Sequence, residues 1–238
     1  MVDQATQLPN RKLIAPLWHT GVLVGFFMAL AGYGAYLQLK AGSGPELVET
    51  HPSTLPLYLS LIVAEWGLLR FVSVGVIKGS GMRLRDMIGG RWSRWNDVLR
   101  DIAIAGGVWA LWTGVEVLAN SRLGPDTAKG INTLLPQGPL ETTVWIALSL
   151  TAGFCEEAIF RGYVQRQARA LTGSVPLAVA IQAVIFGISH GYQGLRPAIA
   201  ITVLGALYGA LARWRKSLRP GMVLHAWMDI FGGLISRG

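Results

Sequence analysis

Phe154-Cys155-Glu156-Glu157-Ala158-Ile159-Phe160-Arg161-Gly162 sets two adjacent carboxylates and a guanidinium in a run otherwise apolar enough to lie inside a membrane. Ionisable groups are costly in that setting and mark either function or tight pairing. Glu157 and Arg161 are four residues apart on one helical face, and this spacing predicts an ion pair. Glu156 points about 100° away, toward a different neighbour. It is the carboxylate left for chemistry, and its partners must come from elsewhere in the chain.

Apolar residues make up 52% of the chain and charged residues only 14%, too little polar sequence to cover a soluble fold of this size. Several apolar runs exceed the length needed to cross a bilayer. The expectation is an all-α, polytopic helical membrane protein, a single membrane domain over 1–238. Its N-terminal helices occupy 1–139, and the segment 140–238 carries the polar motifs. The net charge of +8 would suggest nucleic acid in a soluble protein; here topology explains it, and nucleic acid is not an expected partner. The lone cysteine, Cys155, excludes an internal disulfide. Arg11 and Lys12 precede an apolar run, but the run is too long for a signal peptide and lacks a small-residue cleavage site.

About seven spans are predicted: Leu13 to Leu39, Leu55 to Ile77, Val98 to Ala119, one starting near Thr142, Val175 to His190, Leu195 to Ala212, and Met222 to Ile235. Basic residues fall in alternate connections: Lys78, Arg83, Arg85, Arg91 and Arg94; Arg166 and Arg169; Arg213, Arg215, Lys216 and Arg219. With Arg11 and Lys12 they lie on one side of a seven-span topology, against scattered Lys40, Arg122, Lys129, Arg196 and Arg237. The positive-inside rule then puts the N-terminus in the cytoplasm of a multi-pass cell-membrane protein. The connection from Lys78 to Asp97 reads as interfacial, with Trp92 and Trp95 as anchors.

Other polar residues sit within the spans. Glu65 and Arg70, five apart, are read first as a charge pair. His19 is read as an interfacial or packing residue, and Glu116 as reaching the headgroups. His190 closes the fifth span one turn after Phe186; as a lone histidine at a helix end it reads as a polar cap. His225 and Asp229, at i and i+4, share a face, either as a carboxylate-oriented imidazole or as part of a site with Glu156. Gly187 and Gly191, and Gly205 and Gly209, are read as helix-packing positions. Cys155 adjoins Glu156 and offers a thiol nucleophile, although a buried cysteine is ordinarily inert.

Glu156-Glu157-x-x-x-Arg161, then Phe186-x-x-x-His190, then His225-x-x-x-Asp229 resemble the three ordered motifs of the CPBP family. These are the CAAX-processing and bacteriocin-processing intramembrane proteases, also called the Abi family. The resemblance covers about residues 140 to 236 and implies endopeptidase activity in a cavity formed by the C-terminal helices. It implies Glu156 as the base that activates water, His190 assisting, and His225 with Asp229 at the scissile carbonyl. Glu157, Arg161 and Phe186 become supporting residues. Many members carry asparagine where this chain has Asp229. An ionised aspartate cannot donate a hydrogen bond to an oxyanion, so Asp229 is either protonated or orients His225.

No cofactor is expected. Two histidines and two carboxylates form a donor set that suits zinc, but the resemblance favours a metal-free site with Glu156 as general base. The implied partners are a protein or peptide substrate at the membrane and the lipid bilayer. Prenylated C-termini, leader peptides and sorting tails all fit that description. Two readings compete: a non-catalytic scaffold or immunity protein that keeps the motifs, and a proton-coupled transporter. One expectation conflicts with the site. Ideal vertical spans place Glu156 and His190 at different depths, offset by on the order of 15 Å.

Overall fold

The computed structural model describes residues 12–41, 53–124 and 134–235. Arg11, Lys129 and Arg237, used in the charge pattern, lie outside them. The described chain is helical: α1 (Leu17–Ala41), α2 (Leu55–Ser80), α3 (Leu84–Ile88), α4 (Trp95–Leu123), α5 (Gly138–Glu156), a π-helical stretch (Glu157–Val164), α6 (Gln165–Thr172), α7 (Val175–Ser189), a 3₁₀ turn (Gly191–Gln193), α8 (Leu195–Arg215) and α9 (Arg219–Ile235). Among the described residues there is no strand, only an isolated bridge between Gly89 and Ser217.

Helix starts follow the proline signal. Pro56, Pro139 and Pro176 occupy first-turn positions of α2, α5 and α7, where the missing N–H costs nothing. Ser174 caps α7 by accepting from the Leu177 N–H. Gly173 ends α6 with φ of 71°, a left-handed cap that permits an immediate reversal into α7.

Among the described residues, five helices are long and apolar enough to cross a membrane: α1, α2, α4, the continuous α5–π–α6 rod of 35 residues, and α8. Of the seven expected spans, the fifth and seventh fall short, since α7 has 15 residues and α9 has 17, against the ~20 needed to traverse the hydrocarbon. Large apolar side chains on α1, α2 and α4, among them Phe26, Val63 and Leu111, face outward. Lipid is the solvent that suits such a surface, and the chain is a multi-pass membrane protein.

The basic segments meet at one end of the bundle. Arg166 donates to the carbonyls of Asp86 and Met87, Leu218 N–H to Ile88, and Arg219 to Gly89 and Gly90. Gln167 binds both N–H groups of Ile14 and Ala15. At the opposite end, Glu141 accepts from Ser53, Thr54 and Gln137, and Arg196 donates to Gly124 and Asn120. The main core surrounds the π stretch, with Phe27, Val72, Val76, Met87, Cys155, Phe160, Tyr163 and Phe186 packed together.

Candidate active site

The expected offset between Glu156 and His190 does not exist. The rod does not end after the first motif; it continues through α6 to Gly173, and α7 packs back against α6. Glu156 and His190 lie equally far from Gly173 along the chain, one before and one after. Helices rising about 1.5 Å per residue therefore bring them level. Both line one cavity of about 620 Å³, together with Phe186, His225 and Asp229. Its lining continues to Leu57, Asn120, Leu134 and Arg196, residues at the end of the bundle away from the basic segments. That size suits a ligand-sized or peptide-sized guest.

The predicted ion pair forms. Arg161 Nη1 lies 2.9 Å from Glu157 Oε1, and both side chains are fully buried. The guanidinium also donates to the Gly205 carbonyl at 3.3 Å and stacks over Phe186 and Tyr208. These contacts compensate part of the cost of burying the charge. The eight residues Glu157–Val164 are all buried and wound as a π-helix rather than the α-helix that the spacing implied. Such segments concentrate at functional sites.

α5 reaches α9 at Gly153, where a Cβ would lie 2.8 Å from the Ala226 nitrogen and 2.9 Å from the Met222 carbonyl. Only a residue without a side chain allows that approach. It carries the two glutamates to His225. Nδ1 of His225 is 3.3 Å from Glu157 Oε1, whereas Nε2 faces Glu156 Oε2 at 3.7 Å and Asp229 Oδ2 at 3.6 Å. Among the described residues, the carboxylate within hydrogen-bond distance of the imidazole is that of Glu157, while Asp229 lies slightly farther off. Tyr208 stacks beneath the ring at 5.5 Å and Phe186 meets it edge-on.

His190 caps α7 and lines the cavity. Its Nδ1 lies 2.8 Å from the Phe186 carbonyl, which assigns the proton to Nδ1 and leaves Nε2 as an acceptor. Phe186 packs against His190 and Phe160, fixing the ring from below.

Several expectations change. Glu65 and Arg70 form no ion pair among the described residues: Arg70 is exposed, while Glu65 lines the cavity. Five residues turn a helix through about 500°, which separates the two side chains by about 140°. Glu116 is exposed, lines the mouth of the cavity and accepts from the Trp112 indole at 2.8 Å. His19 is a packing residue, stacked on Phe71 and bonded to the Phe71 carbonyl and the Tyr163 hydroxyl. Trp92 is held by Asp101 at 2.9 Å, while Trp95 stays exposed. Gly187, Gly205 and Gly209 sit at close helix approaches, but Gly191 faces open space and is no packing position. Cys155 is completely buried in the core. Among the described residues, no three His, Cys, Asp or Glu side chains converge as a metal site requires.

Residues 138–231 match the family described as type II CAAX prenyl endopeptidase, Rce1-like. The match runs from the start of α5 into α9 and contains all three motifs, in agreement with the resemblance read from them. No curated protein and no solved structure matches the chain.

Proposed function

We propose, from the match of residues 138–231 to the Rce1-like family, that the chain is an intramembrane endopeptidase with Glu156 as its general base. The observation that carries this reading is the division of labour between two adjacent carboxylates. Glu157 is committed to Arg161 and His225, while Glu156 faces the cavity shared by His190, His225 and Asp229.

The chemistry follows from those positions. A water molecule between Glu156 and Nε2 of His190 gives one proton to the Glu156 carboxylate as its oxygen bonds to the scissile carbonyl carbon. The carbonyl electron pair moves onto oxygen. His225, as an imidazolium that donates Nδ1–H to Glu157, presents Nε2–H to that oxyanion, with Asp229 beside it. When the C–N bond breaks, the proton on Glu156 passes to the leaving nitrogen, and the free carboxylate returns. The reaction needs no metal, and the substrate is a membrane-associated protein or peptide whose extended segment enters the cavity.

The basic end of the bundle is assigned to the cytoplasm by the positive-inside rule, with the N-terminus on that side and the cavity open toward the other. Ser93→Cys in a Cys155→Ala background tests this. An impermeant maleimide should label it only after the membrane is opened, and labelling of intact cells would reverse the assignment.

The direct test of function compares membrane-protein termini by mass spectrometry in cells carrying the native protein or Glu156→Ala. New termini should appear only with the native protein. Undiminished cleavage by folded Glu156→Ala overturns the reading, and folded protein with no turnover in any form favours a scaffold.

A further inference from the structure

Glu65 enters the cavity from α2, outside the three motifs and outside the residues that match the family. α2 packs along α5, and Glu65 and Glu156 line the same cavity from these two adjoining helices. Oε2 of Glu65 and Oε2 of Glu156 are both buried, and neither takes a hydrogen bond from a described residue. Two facing, desolvated carboxylates cannot both be ionised at low cost, because each raises the energy of the other's charge. A single proton between them removes the repulsion and supplies the missing donor. The other ionisable groups that adjoin Glu65 or line its cavity are Cys155 on α5, Tyr192 on the 3₁₀ turn, His225 and Asp229 on α9, Glu116 on α4, and Tyr208 and Arg196 on α8, the last of these tied to Gly124 and Asn120. His190 lines the same cavity, and Arg70, on the same helix as Glu65, points away. His225 is the one group among these able to carry positive charge toward the pair at close range, and its Nε2 faces Glu156 and Asp229.

We propose that Glu65 is a positioning residue that shares one proton with Glu156, so that the pair enters the reaction with Glu65 neutral and Glu156 ionised. The proposal rests on Glu156 as the general base. Neutral Glu65 donates its O–H to Glu156 and fixes the oxygen that will receive the proton of water. It keeps its own proton throughout: the proton taken from water sits on Glu156 and leaves with the amine, so the pair ends with the one proton it began with. Loss of the Glu65 proton at high pH places a second negative charge beside the base, removes the donor and stops turnover.

The test uses the full-length protein in lipid nanodiscs, with Glu65→Gln, Glu65→Ala and Glu156→Gln, assayed on a cleaved membrane peptide across pH. Glutamine mimics the neutral acid and retains an N–H donor. Glu65→Gln is therefore expected to keep kcat within about threefold while losing the alkaline limb of the pH profile. Glu65→Ala is expected to lose kcat by about tenfold or more with KM unchanged. A structural role would leave the shape of the profile alone. Glu65→Ala at full activity with an unchanged profile overturns the proposal, as does Glu65→Gln as inactive as Glu65→Ala. Infrared difference spectra give a readout independent of turnover. A protonated carboxyl band at neutral pH, shifted in D2O and lost in Glu65→Gln, is expected, and its absence from the native protein overturns the shared proton. That band without any cleavage dependent on Glu156 overturns the protease reading and supports the shared proton.

Discussion

Oε1 of Glu157 lies 2.9 Å from Arg161 Nη1 and 3.3 Å from His225 Nδ1. One buried oxygen thereby ties the first motif to the third. Glu157→Ala strands the guanidinium without a counter-ion and removes the orienting partner of the imidazole. The expected cost is about 3–5 kcal/mol of stability, the range for breaking a buried pair from one side. Glu156→Ala, which removes only the longer 3.7 Å approach to His225 and the contact with Glu65, is expected to cost less, about 1–2 kcal/mol. Unfolding of the two variants in the same micelle measures the difference. Equal destabilisation would refute the division between the two glutamates.

Turnover should divide the other way. Glu156→Gln and His190→Ala, both folded, are expected to lower kcat by about a hundredfold or more while KM changes little, because each acts on the water rather than on substrate binding. A rise in KM alone would place these residues in binding instead.

Cys155 has no exposed surface and no place in the cavity lining. A thiol inaccessible to solvent is a poor nucleophile. Cys155→Ala should keep activity within about threefold, and thiol-alkylating reagents should leave the native protein active. Inactivation by either route would restore the thiol mechanism.

Metal dependence has a direct answer. Dialysis against a strong zinc chelator is expected to leave cleavage unchanged. Loss of activity on chelation, restored by added zinc, would replace the general-base mechanism with a metal-bound one.

Gly153 sets how closely α5 approaches α9. Gly153→Val places methyl groups against the Ala226 nitrogen and the Met222 carbonyl. Overpacking of this kind costs about 1–3 kcal/mol, and it should reduce turnover by withdrawing Glu156 from His225. Full activity in the valine variant would show that the helices can separate without consequence.

The helical class and the roles of Glu157 and Arg161 were legible because they depend on local spacing and composition. The motif residues were legible as a set, but their convergence was not. Treating each apolar run as a separate vertical span displaced His190 from Glu156. Gly173, with Ser174 and Pro176 behind it, carried the reversal signal in the sequence. Glu65 was read first as a partner of Arg70, although a five-residue interval points the two side chains apart. The π winding has no local spacing signature in this stretch; it depends on the packing of Phe160, Tyr163 and their neighbours. Glycine spacing alone did not separate Gly191 from Gly187, since only the position of the opposing helix does.

The reversal at Gly173 works as a caliper whose two jaws are the π–α6 arm and α7. Its jaws meet at Glu156 and His190 only while both arms keep the same length. Removing one residue from α7 alone would lower His190 by about 1.5 Å and swing it by about 100°, whereas removing one from each arm shortens the caliper and lets the tips meet again. Sequence change in this hairpin is therefore constrained in length before it is constrained in identity, and a variant library built on this scaffold should alter the two arms in step.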